Sequence, residues 1–206
     1  MAKPHVTVHR DDLPADLTFG GAVAVDTEAL GLKTRRDRLC VVQLSGGDGT
    51  AHLVQIAKDK YDAPNLKRLL RDPDTTKIFH YARFDVAILK TYLGVETAPI
   101  YCTKIASKLV RTYTDRHGLK DLCSELAGVE LSKQQQSSDW AAETLSDQQI
   151  AYAASDVLYL HKIKERLDFM LAREDRTAMA TAAFDYLQHR VNLDIAGFND
   201  LDIFSH

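Results

Sequence analysis

Cysteine is scarce in this chain of 206 residues: Cys40, Cys102 and Cys123 are the only three, widely spaced and without a CxxC pair. That excludes a disulfide framework and a zinc ribbon, and fits a reducing compartment. No run of about 18 apolar residues occurs, so no membrane-spanning helix is expected. The opening residues, MAKPHVTVHRDDLPADL, lack the apolar core of a signal peptide, and a cytoplasmic address is expected. There is no internal repeat and no long linker. Bulk positive charge is missing as well: Lys and Arg number 26 against 29 Asp and Glu, a formal net charge of −3. A protein that holds nucleic acid by overall charge is thereby excluded. Beyond Val191 there is no Lys or Arg at all, while Asp194, Asp200 and Asp202 remain.

What is present is ordinary for one globular domain, with 45% hydrophobic and 27% charged residues. Residues 1–190 are expected to form that domain, as a monomer, and 191–206 an acidic tail with a few apolar anchors. Basic residues cluster locally, in KTRRDR (33–38) and as Lys104, Lys108, Arg111, Arg116 and Lys120. Such clusters suit a locally basic groove that handles and releases an anionic substrate. Short strands are expected at 6–8, 22–25, 39–44, 51–56 and 76–79, the third and fourth joined as a hairpin by Gly46-Gly47-Asp48-Gly49. Helical spacing predicts helices over 11–19, 65–71, 82–92 with Gly94 as C-cap, 103–111, 119–127, 147–171 capped by Ser146, and 176–190. The stretch 133–139, KQQQSSD, reads as a polar loop. Strands first and helices later indicate an α/β domain with a helical C-terminal half.

The chemistry starts in GAVAVDTEALGL (21–32). Asp26 and Glu28 follow a short apolar strand and, two residues apart, leave it on the same side. Like charges at the end of a buried strand are unfavourable unless a cation lies between them. Two further acids occupy apolar helical surroundings: Asp85 in FHYARFDVAILK and Asp156 in IAYAASDVLYL. Asp is a poor residue inside a helix and is rarely buried without a partner. Tyr152 precedes Asp156 by one helical turn, on the same face. Four oxygen ligands without His or Cys suit Mg²⁺ or Mn²⁺ and argue against zinc. Two such ions could stabilise the attacking and leaving oxygens of a phosphoryl displacement. Taken singly, a DxE, a YxxxD or an Asp at a helix start has a bland explanation more often than not.

In order along the chain, DTE after an apolar strand, HYARFD before a helix and YAASD within a helix resemble the three motifs of the DEDD exonucleases. The YxxxD spacing is that of the tyrosine subgroup, and ribonuclease D is the nearest likeness. VVQLSGGDGTAHLVQI and the segment from LSKQQQSSDW to DVLYL also resemble that family, so the similarity runs over about 21–167. The resemblance implies a ribonuclease H-like fold, a mixed five-stranded sheet flanked by helices. It implies hydrolysis with two divalent cations, Mg²⁺ or Mn²⁺. Asp26, Glu28 and Asp156 would hold one ion and the attacking water, Asp26 would bridge to the second, Asp85 would support that second site, and Tyr152 would orient the water. Thr27, Leu32 and His80 would touch the substrate, Leu32 as an apolar wedge against the terminal bases; core or loop leucine and hydrogen-bonded histidine are the plainer roles. The expected product is a nucleoside 5′-monophosphate released from the 3′ end of RNA, in RNA processing. DNA as substrate, and a non-catalytic nucleic-acid-binding domain, are the alternatives.

Two departures from the family stand out. Cys102 in Tyr101-Cys102-Thr103 occupies the place of an Asp that usually precedes Thr, which alters the hydrogen bonding expected there. The chain also ends about 50 residues after Asp156, too soon for the C-terminal helical domains of full-length ribonuclease D, so an exonuclease domain alone is expected.

Overall fold

The computed structural model describes residues 4–131 and 138–206. Six strands form one mixed sheet: β1 (His5–Arg10), β2 (Ala22–Ala29), β3 (Leu39–Ser45), β4 (Thr50–Gln55), β5 (Thr76–Phe79) and β6 (Ile100–Cys102). Their order is β1-β4-β3-β2-β5-β6. The β2, β3 and β4 strands form an antiparallel meander, while β1 joins β4, and β5 and β6 extend β2, in parallel. The five strands from β4 to β6 are those the resemblance implies. The sixth is β1, which adds to the free edge of β4 and so corrects the expected count.

The helices are α1 (Pro64–Arg71), α2 (Ala82–Leu93), α3 (Thr103–Val110), α4 (Leu119–Leu122) running into a π turn (Cys123–Ala127), α5 (Asp147–Leu158), α6 (Leu160–Arg173) and α7 (Thr177–Ile195). The α5 helix lies on β2, β3 and β4, and α6 on β2 and β5. The α7 helix packs on α2, α3, β6 and α6. Every residue of β3 is buried, so the strand reads as a continuous apolar run broken only by Gln43 and Ser45. Among the described residues no helix is long and apolar enough to cross a membrane.

Several expected elements come out differently, each for a local reason. Residues 11–19 form no helix. Asp11 takes a left-handed backbone (φ 63) and accepts from Ala57 N, while the Asp12 carboxylate accepts from Asn65 N and Leu66 N at the start of α1. Asp12 thus caps another element instead of building its own, and Asp11 holds the chain just past β4. The helix expected over 147–171 is two helices meeting at Tyr159, with no Pro or Gly at the break. Each half then follows a different part of a twisted sheet. The last helix continues past 190 to Ile195, with Val191 fully buried. Beyond it, Arg83 pairs with Asp194 and donates to Asn199 O, which draws residues 194–199 back onto α2. Most of the expected loop at 133–139 lies outside the described residues.

Candidate active site

Strand alternation and helix phase together assemble the acids. Asp26 and Glu28 project from one face of β2, and Asp156 from α5 meets them there. Each of the three offers a carboxylate oxygen, and these oxygens all lie within 4.8 Å of one another. Thr27, between them in sequence, points to the other face, where α2 brings Asp85: Thr27 Oγ1 donates to Asp85 Oδ1 over 2.7 Å. The cluster is therefore built from both faces of the sheet at the end of one strand. Asp85 is nearly inaccessible (3% exposed), and backbone hydrogen bonds from Asp85 and Thr27 reach its carboxylate as well.

The position of α5 is fixed by polar contacts at its start. Ser146 and Gln149 form a reciprocal capping box, and Gln149 Nε2 also donates to Asp139 O. Gln55 on β4 donates to Ala142 O, which ties the approach to α5 to the sheet. Tyr152, one turn before Asp156, is half-buried with its ring 6.1 Å from that of Trp140. Under the acids lies Gln43, paired across the ladder with Asp26 and fully buried; its amide finds no protein partner among the described residues.

The electrostatics are those of a site designed for positive charge. Burial, then repulsion from Asp26, Asp156 and Asp85, pushes Glu28 up to about 10. Burial raises Asp26 to about 7, against a backbone hydrogen bond from Thr27 that pulls the other way. Asp85 and Asp156 are also held well above the carboxylate range, by burial first and by Asp26 second. The Tyr152 hydroxyl is pushed up by burial and then by Asp156, Glu28 and Asp26, so it keeps its proton at neutral pH. Among the described residues, four clustered carboxyls without a basic partner at hand fit a divalent cation with oxygen preference. The donor set contains no His or Cys and does not fit zinc.

A cleft of about 720 Å³ opens over the acids. Leu30 and Leu32 stand at its border, half and almost fully exposed (51% and 84%). Tyr81, Phe84 and Lys104 border it as well, and Lys104 Nζ sits 4.4 Å above the Tyr81 ring. His80 lines the cleft with its Nδ1 on Thr103 Oγ1 at 2.9 Å. All the site residues expected from the sequence border the cleft except Asp85, which lies behind Thr27.

The expected basic groove is corrected in detail. Of the basic residues named, Lys104 and Lys120 border the cleft. Arg111 is fully buried and bound to Ser107, Arg116 O and Glu125, and Arg116 pairs with Asp121. In KTRRDR, Arg36 pairs with Asp37, and Arg38 donates to Leu39 O and Ile56 O. Sequence reasoning did not single out Tyr81, Trp140 or Gln43. Tyr81 carried the one available signal, an aromatic residue inside the HYARFD motif.

Comparison with known proteins agrees with this geometry. The 3′–5′ exonuclease family matches residues 10–172. Ribonuclease D of Acidiphilium cryptum is 40% identical over 154 residues, 75% of this chain and 39% of its own length. The chain thus spans about two fifths of the curated relatives it matches. Brucella melitensis NrnC superposes with a TM-score of 0.95 at 57% identity and covers 98% of both chains. That protein has also been solved bound to pGG and with bound Mg²⁺. Escherichia coli RNase D, an exoribonuclease involved in structured RNA processing, superposes with a TM-score of 0.73 at 28% identity over 84% of this chain and 45% of its own.

Proposed function

Because the chain belongs to the 3′–5′ exonuclease family, with ribonuclease D among its relatives, we propose that it is a metal-dependent exoribonuclease that removes nucleoside 5′-monophosphates from RNA 3′ ends. The observation that carries this reading is the three-oxygen cluster of Asp26, Glu28 and Asp156, with Asp85 behind Thr27 and Tyr152 one helical turn away. Asp26, Glu28 and Asp156 would hold one divalent cation, and Asp26 with Asp85 a second. Such ions acidify water and neutralise a leaving oxygen. The residues do the rest. Tyr152 keeps its proton and so orients the attacking water by hydrogen bonding rather than removing a proton from it. Lys104 and Lys120 hold phosphate at the cleft wall, and Leu32 presses on the terminal base. The binding of Mg²⁺ by the B. melitensis protein supports the metal assignment.

The size of the cleft suits a few nucleotides rather than a long strand. The relative's complex with pGG, by its name a 5′-phosphorylated dinucleotide, supports short RNA as the preferred substrate. Three free, buried cysteines support a reducing, cytoplasmic setting. The test uses 5′-labelled RNA and DNA from two to about twenty nucleotides, with Mg²⁺, Mn²⁺ or EDTA. Stepwise loss from the 3′ end of RNA, abolished by EDTA and by Asp26→Asn, is expected. Cleavage that persists in EDTA would refute the metal assignment, and equal rates on DNA would refute the RNA preference.

A further inference from the structure

Leu32 stands over the cleft with almost nothing beside it. It is 84% exposed, so packing of its own side chain does not hold it there. The residue belongs to the loop 30–38 that joins β2 to β3, closed at its base by Leu30 N donating to Arg38 O over 3.1 Å. Where the leucine points is therefore set by the backbone of this loop.

From residue 30 to residue 38 only Asp37 is buried (6% exposed), and its carboxylate ties the loop to itself. Lys33 N donates to Asp37 Oδ2 over 2.9 Å. Arg36 grips both oxygens, Nε donating to Oδ1 over 2.6 Å and Nη2 to Oδ2 over 2.9 Å. The backbone turns at the same place, with Arg36 N and Asp37 N both donating to Lys33 O, at 2.9 and 2.8 Å. From the other side Gly31 comes so close that a Cβ on it would lie 2.4 Å from Oδ2. Residues 31 and 33 thus rest on one and the same carboxylate oxygen, and Leu32 is the residue between them. The Arg36 hydrogen bond first, and that from Lys33 N second, hold the Asp37 carboxyl down at about 2, so this brace is charged at any working pH.

An exposed leucine on a loose loop would lose backbone freedom each time it closed on a substrate, and that loss weakens the contact. A loop already fixed on both sides of the leucine avoids it. We propose that Asp37 is a positioning residue for the exonuclease reaction, its carboxylate fixing the backbone on either side of Leu32 so that the leucine meets the 3′-terminal base without reordering. This rests on the exonuclease reading above and adds the group that holds its wedge. The run KTRRDR then acts as the frame of the wedge, with Arg36 committed to Asp37 rather than to phosphate.

The test measures kcat and KM on a 5′-labelled RNA trinucleotide for the wild type, Leu32→Ala, Asp37→Ala, Gly31→Ala and the double variants. Leu32→Ala and Asp37→Ala should each lower kcat/KM about tenfold or more, since a misplacement of about 1 Å suffices for such a loss. Asp37→Ala combined with Leu32→Ala should be no slower than the worse of the two, because both remove one contact. Gly31→Ala drives a methyl into the carboxylate and should slow cleavage severalfold, with no further loss when Leu32→Ala is added. That pair carries the same test should Asp37→Ala fail to fold. The rise in melting temperature on adding Mg²⁺ should match the wild type in every variant, because the acids are untouched. Losses that multiply in the double variants, an Asp37→Ala rate within about twofold of the wild type, or a lost response to Mg²⁺ would overturn the proposal. Leu32→Ala at the wild-type rate would overturn it as well, and leave the exonuclease reading standing. No cleavage by the wild type with Mg²⁺ or Mn²⁺ would instead overturn that reading.

Discussion

Glu28→Gln is expected to remove the share of the pH dependence of stability that Glu28 gives the metal-free protein, while Asp26, Asp85 and Asp156, also raised by burial, keep theirs. Folded Glu28 holds its proton up to about 10, whereas the ordinary value, which the unfolded chain keeps, is 4.5. Between those limits the folded state carries a proton that the unfolded state has lost, so stability is greatest at low pH and falls as pH rises. Each pH unit costs about 1.4 kcal/mol at most, hence about 4 kcal/mol between pH 6 and pH 9 from this one group. The carboxylate borders an open cleft, and solvent screening brings this to about 2 kcal/mol. In a domain of this size that is a melting-temperature drop of about 4–8 °C. Glutamine mimics the protonated acid, so the variant in EDTA should match the wild type at pH 6 and lose about 2 kcal/mol less than it by pH 9. Saturating Mg²⁺ should stabilise the wild type more at pH 9 than at pH 6, because ions bind the deprotonated form. The variant should respond weakly at both. Thermal melts of the two proteins at the two pH values, with EDTA or Mg²⁺, make the measurement. Metal-free wild type that gains stability toward pH 9, or a variant with the wild-type slope, would refute the buried-charge argument.

Three other outcomes follow from single contacts. Tyr152→Phe removes the hydroxyl but keeps the ring against Trp140; kcat should fall about 100-fold or more with KM within a few-fold, and a normal kcat would exclude the water-orienting role. Ser146→Ala breaks the capping box of α5; chemical denaturation should show a loss of about 1 kcal/mol, and no loss would mean that packing alone holds the helix start. Arg111→Met deletes the buried guanidinium that binds Ser107, Arg116 O and Glu125; a loss of about 3 kcal/mol is expected, with nucleotide affinity unchanged within a few-fold, and a selective loss of RNA binding would instead return Arg111 to the groove.

The acids were legible in the sequence because the oddity of each is local. A buried strand ending in Asp-Thr-Glu, and an aspartate in an apolar helix, violate the ordinary placement of charge wherever the chain goes. The regular strands and the capped helices were legible for the same reason, since periodicity and caps act over a few residues. Residues 11–19 were misread because Asp12 caps a helix more than fifty positions away and Asp11 binds Ala57 N just past β4, and nothing in their own neighbourhood signals that use. The break at Tyr159 escaped because no breaker residue marks it; the twist of the sheet beneath it does.

The sequence by itself supplied the candidates for the site: four carboxyls and a tyrosine whose motifs are bland singly and, in their order, resemble those of the exonucleases. Only the tertiary structure decided which groups are free to act. It committed one oxygen of Asp85 to Thr27, turned Arg111 from a candidate ligand for phosphate into a buried strut, and left Lys104 and Lys120 at the cleft wall. It also placed Thr103 Oγ1 between His80 Nδ1 and the Phe79 carbonyl. The reason is that residue type fixes how many protons and lone pairs a side chain has, while the fold decides which of them are already used.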